Sequence, residues 1–75
     1  MKKYKNLSGT TGVVAYETAD DSITVEFEGG GIYLYTYQSA GRSNVEQMKV
    51  LAATGKGLST FIAKYVRDCY ATKLR

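Results

Sequence analysis

The sequence predicts an α+β domain of two layers: a three-stranded antiparallel meander followed by two helices packed on one face, in the order β-β-β-α-α. Three observations carry that expectation. Apolar residues alternate with polar ones in the first half and recur every three to four residues in the second. Two turn clusters, Ala19-Asp20-Asp21-Ser22 and Gly29-Gly30-Gly31, punctuate the alternating half. A serine followed three residues later by glutamate, Ser43 to Glu46, opens the helical half.

Each element has its own justification. After the Gly/Ser/Thr segment Ser8-Gly9-Thr10-Thr11-Gly12, the run Val13-Val14-Ala15-Tyr16-Glu17 reads as a first strand. In the second strand, Ile23, Val25 and Phe27 alternate with Thr24, Glu26 and Glu28, the mark of a strand buried on one face. Three glycines then supply the positive φ a hairpin needs. The third strand, Ile32 to Tyr37, is apolar on both faces. Ser43-Asn44-Val45-Glu46 has the form of a capping box, with Val45, Met48, Leu51 and Ala52 on the inner face and Gly55 as the stop. A second helix is expected to start near Gly57-Leu58-Ser59. Leu58, Ile62, Tyr65, Val66 and Cys69 form its buried stripe, and Thr60, Lys64, Arg67 and Ala71 its solvated basic line.

Composition narrows the function. Seventy-five residues fit one domain, residues 1–75, with Met1 to Ser8 reading as a basic arm open to disorder. With no histidine, imidazole-based triads and His-containing metal sites are excluded. The single Cys69 cannot form an internal disulfide or a structural zinc site, which points to a reducing compartment. The N-terminus lacks the apolar run of a signal peptide, and no apolar stretch is long enough to span a membrane. The expectation is a soluble cytoplasmic protein without cofactor, metal or membrane association. Charge is split: residues 1–40 carry a balance of −2 and residues 41–75 a balance of +5, which sets a basic face suited to phosphate against an acidic half.

The residues also resemble a known family. Tyr33-Leu34-Tyr35 behind a glycine turn, Val25-Glu26-Phe27 in the strand before, Gly57-Leu58-Ser59-Thr60-Phe61-Ile62 and Val66-Arg67-Asp68-Cys69-Tyr70 are similar to the KTSC domain over residues 8–70. That short module, with a central YxY, occurs alone in bacteria and phages and at the C-terminus of some lysyl-tRNA synthetases. The resemblance implies this meander-and-helices fold, and through the synthetase context an association with RNA.

Five residues are candidates for nucleic-acid contact. Tyr33 and Tyr35, with Tyr37, project from one strand face at the spacing with which RNA-binding sheets stack bases; the alternative is that they form the core. If they point inward, Ile32 and Leu34 share the outer face with Thr24, Glu26 and Glu28, a surface better suited to a protein partner or a homodimer. Lys56 sits in Gly55-Lys56-Gly57, where glycines ahead of a helix leave amides free for an anion; a plain helix stop and restart explains the loop equally. Lys64 and Arg67 contribute a basic stripe able to hold phosphates without reading sequence. Cys69 is expected in the core, and Glu26 and Glu28 have no neighbour that would make them a catalytic pair. The sequence therefore predicts a non-enzymatic RNA-binding module. The alternative is a protein-interaction or homo-oligomeric module using the sheet edge or outer sheet face.

Overall fold

The computed structural model describes residues 1–5 and 12–75. The predicted Ser8-to-Thr11 segment lies outside them. The α+β class holds, with a larger inventory than three strands and two helices. The elements are β1 (Lys2–Lys3), β2 (Val13–Ala19), β3 (Ser22–Phe27), β4 (Ile32–Thr36), α1 (Tyr37–Ala40), α2 (Arg42–Thr54), α3 (Leu58–Phe61) and β5 (Thr72–Lys73). A π-helical turn, Ile62–Val66, continues α3 directly. The strands form one antiparallel sheet in the order β1-β2-β3-β4-β5, so the predicted meander is its centre.

Turn chemistry sets the register. Ala19 pairs with Ser22, leaving Asp20-Asp21 as a two-residue loop. Gly29 and Gly30 take φ values of 96° and 97° between β3 and β4, which a side chain would strain. The pairs Ile23 with Tyr35 and Val25 with Tyr33 then put these residues on one sheet face. Ile32 and Leu34 fall on the other, because side chains alternate along a strand. The extra residue Val14, bulged between Val13 and Ala15, turns outward and is exposed.

The helical half differs from expectation in two places. Tyr37 leaves the strand and opens α1, whose capping box is Thr36 with Ser39: the Ser39 amide donates to Thr36 Oγ1 at 3.1 Å and the Thr36 amide to Ser39 Oγ at 2.9 Å. The box expected at Ser43 does not form. Helix α2 begins earlier, at Arg42, because α1 delivers the chain to Gly41, whose carbonyl accepts the Val45 amide at 3.0 Å. Glu46 instead accepts the Tyr37 hydroxyl at 2.6 Å and pairs with Lys49 at 2.9 Å. The predicted stop is observed: Gly55 sits at φ 84° and its amide caps Leu51 at 2.9 Å.

The core fills the space between the inner sheet face and the helices. Val13, Ile23, Val25 and Tyr35 come from the sheet, Val45, Met48 and Ala52 from α2, and Leu58, Ile62 and Val66 from the last helix. Tyr4, within the stretch read as a basic arm, packs into the core, while residues 6–8 of that stretch lie outside the described residues. Tyr4 is 2% exposed, and its hydroxyl accepts the buried Leu58 amide at 3.3 Å across 54 positions of sequence. Lys2–Lys3 pairs beside it with Tyr16 and Ala15. No helix among the described residues is long and apolar enough to cross a membrane.

Candidate nucleic-acid interface and aromatic cleft

The last helix is the most basic element that also carries an exposed ring. Leu58, Ile62 and Val66 are buried at a constant spacing of four. A uniform α-helix would bring Tyr65 into that stripe, as the sequence predicts. Over Ile62–Val66 the turn widens to π geometry, with bonds five residues apart, and rotates residue 65 away from the core. Tyr65 is consequently 62% exposed, which corrects its assignment to the buried stripe. It does not swing freely: its ring lies 4.8 Å from that of half-buried Phe61, at 40° between planes. Lys64 precedes it and Arg67 follows two residues later, both exposed.

The helix ends at Val66, so Cys69 and Tyr70 lie beyond it. Cys69 is exposed, not a core thiol; its predicted burial depended on helical periodicity continuing past the point where it stops.

The glycine loop takes the positive φ its composition allows, with Gly55 at φ 84° and Gly57 at φ 85°. Lys56 between them is exposed. The amide at the start of α3 is not available to an anion, because Leu58 N–H is donated to Tyr4. Lys56 adds a positive charge beside that amide.

The strand tyrosines separate into three environments. Tyr35 is 1% exposed and belongs to the core. Burial first, then the neighbouring Tyr33, Tyr70, Cys69 and Asp68, pushes its hydroxyl up to about 12, so it stays protonated. Tyr33 is half-buried and crowded, with Phe27 edge-on at 5.6 Å, Tyr70 edge-on at 4.8 Å and the Lys73 ammonium 5.6 Å from its ring centre. Tyr37 stands apart, bound to Glu46 and flanked by Arg42 and Lys49, each 5.7 Å from its ring centre. A base has no open face to stack on at Tyr35, and competes with three existing contacts at Tyr33.

Three of the five predicted residues do converge. Tyr33, Tyr35 and Arg67 line one cleft of about 520 Å³ between the β3–β4 turn and the end of the last helix. Lys56 and Lys64 are not part of its lining. The cleft adds Phe27 and Tyr70 to the aromatic surface, and Glu28 and Asp68 to the charged one. Glu28 has thus left the strand face it was expected to share with Glu26, since β3 ends at Phe27. Two carboxylates against one guanidinium make the cleft unfavourable for a phosphate, so convergence here does not mean a nucleotide site. Tyr65, Tyr70, Glu28 and Asp68 were missed from sequence. No sequence signal marked Tyr65, because on a regular α-helix residue 65 falls on the same face as Leu58, Ile62 and Val66 and only the π-turn turns it outward.

No protein-family model, curated protein or solved structure matches the chain. The likeness to the KTSC domain accordingly stands on the residues quoted for it alone.

Proposed function

We propose that this chain is a small, non-enzymatic nucleic-acid-binding module that takes single-stranded RNA on the exposed face of its last helix. Lys64 and Arg67 contact phosphates, Lys56 adds a third charge, and Tyr65 supplies the stacking ring. The observation that carries the reading is the 62% exposure of Tyr65 between Lys64 and Arg67. A solvent-facing ring among cations is the pairing that sequence-tolerant single-strand binding uses, where each stacked base contributes about 1–3 kcal/mol. The +5 balance of residues 41–75 and the resemblance to a synthetase-associated module support it. Tyr33 and Tyr35, offered from the sequence as stacking rings beside the basic residues, are replaced by Tyr65 in this reading.

The test is a fluorescence titration with a short single-stranded RNA at low salt. Tyr65→Ala is expected to weaken binding by about 1–3 kcal/mol while leaving thermal stability nearly unchanged, because the ring is mostly solvated. Lys64→Glu with Arg67→Glu is expected to abolish it. Wild-type protein that fails to bind, or binding indifferent to both variants, overturns the reading. The interaction-module alternative has less support at the sheet edges. Both are two-residue strands, and Lys2, Lys3 and Lys73 lie on them, a pattern that discourages strand addition.

A further inference from the structure

Tyr35 is 1% exposed, yet its hydroxyl has no hydrogen-bond partner among the described residues. Two other tyrosines show the contrast: Tyr4 accepts the Leu58 amide, and Tyr37 donates to Glu46. A buried donor left unpaired keeps its full desolvation penalty, so the Tyr35 hydroxyl calls for an acceptor. Among the groups that act on it electrostatically, Tyr33, Tyr70 and Asp68 line the cleft between the β3–β4 turn and the end of the last helix. Tyr35 lines that cleft too, so its hydroxyl lies at the cleft floor. With a pKa of about 12 it stays a donor throughout the physiological range. Asp68 is near enough to act on this hydroxyl but does not accept from it, and makes no ion pair among the described residues. The cleft thus sets a donor beside an acceptor, both unused.

The rest of the lining decides what completes that pair. Glu28 and Asp68 are balanced by Arg67 in the lining and by Lys73 over Tyr33, two charges of each sign, so a neutral group fits. Tyr33 is occupied by Phe27, Tyr70 and Lys73, but Tyr70 is 38% exposed and, with Ile62 and Ala63, leaves apolar surface for a flat ring. The volume of about 520 Å³ falls in the ~300–1,000 Å³ range of small-ligand sites. A hydroxyl donor next to a carboxylate matches an edge with one acceptor beside two adjacent N–H donors. Guanine alone among the RNA bases has that edge: its carbonyl accepts, and its ring N–H and amino group donate together to one carboxylate. Uracil puts a second carbonyl against the carboxylate, and adenine and cytosine put an amino donor against the hydroxyl. Arg67 belongs to both surfaces, exposed on the last helix and present in the cleft lining. We propose, resting on the RNA-binding reading above, that the cleft takes one unstacked guanine base of the bound single strand. Tyr35 donates to its carbonyl and Asp68 accepts from its N–H groups, while the phosphates stay outside on Lys64 and Arg67.

The test is a fluorescence titration of the full chain with labelled heptauridylate and with the same strand carrying guanosine, or adenosine, at its centre. The guanosine strand is expected to bind at least about tenfold more tightly than the other two, because a site built to hydrogen-bond one edge rejects the others. Tyr35→Phe is expected to bring the affinities together, with a urea midpoint equal to or above that of wild type, because the hydroxyl it removes has no protein partner. Asp68→Asn is expected to do the same, read as the ratio of affinities so that its changed charge cancels. Retention of the preference in Tyr35→Phe overturns the proposal, and a lowered midpoint in that variant marks a hydroxyl satisfied by buried water instead. An adenosine strand that binds as well as the guanosine strand also overturns it, since stacking alone then explains the gain. Equal binding of all three strands by wild type overturns it and leaves the RNA reading standing. Binding of none overturns the RNA reading, and this inference falls with it.

Discussion

At the scale of single residues, long-range anchors matter more than their position in the chain implies. Tyr4 lies in a stretch with no strand pattern, yet its hydroxyl satisfies the buried amide that starts α3. Removing that hydroxyl leaves a buried N–H without its partner, so Tyr4→Phe should cost about 1–2 kcal/mol in a urea unfolding measurement. The Tyr37–Glu46–Lys49 cluster works differently, since it is solvent-exposed and its effect is visible through pH. The Tyr37 hydroxyl, and after it Lys49, hold the Glu46 carboxyl below its ordinary value. A carboxyl depressed in the folded state stabilises the fold above the ordinary carboxylate range, and that contribution is lost as pH falls through the depressed value. The urea midpoints of wild type and Glu46→Gln should therefore differ more at about pH 7 than at about pH 3. Lys49 also donates to the Asp20 carbonyl at 3.0 Å, so the same cluster ties α2 to the β2–β3 turn.

At the scale of elements, the strands follow from alternation and turn chemistry, and the helix boundaries do not. Ile23, Val25 and Phe27 could face only one way, and Asp20-Asp21 with Gly29-Gly30 placed the reversals. The capping box at Thr36 and Ser39 was invisible because its residues sit at the end of a sequence that still reads as strand. Its role has a direct measurement: Thr36→Ala should cost about 1 kcal/mol, mostly by freeing the Ser39 amide. The Ser43-to-Glu46 pattern was a false signal. Its glutamate is drawn to Tyr37 nine residues earlier, a partner that no local pattern names. The π-turn is the consequential difference. A single widened turn keeps Leu58, Ile62 and Val66 inward and puts Tyr65 outward, converting a core residue on paper into the exposed ring of the candidate interface.

At the scale of the molecule, the proposed RNA face is expected to show itself in its salt dependence. On the RNA face, three cations imply that log K falls against log salt with a slope of about −2 for a single strand. Replacing Lys64 and Arg67 by glutamine should flatten that slope to about −0.7, as measured by titration at several salt concentrations. The sequence alone determined the α+β class, the central meander and the concentration of positive charge in residues 41–75. These depend on side-chain period, glycine placement and charge, which are local properties. Only the tertiary structure decided that Tyr35 is sealed in the core, that Tyr4 closes the glycine loop, and that Tyr65 faces solvent. It also brought Glu28 and Asp68, 40 positions apart, to the same cleft as Arg67. Each of these outcomes depends on which residues meet across the sheet–helix seam, and burial and net charge at a meeting point are set by partners that no local window of the chain contains.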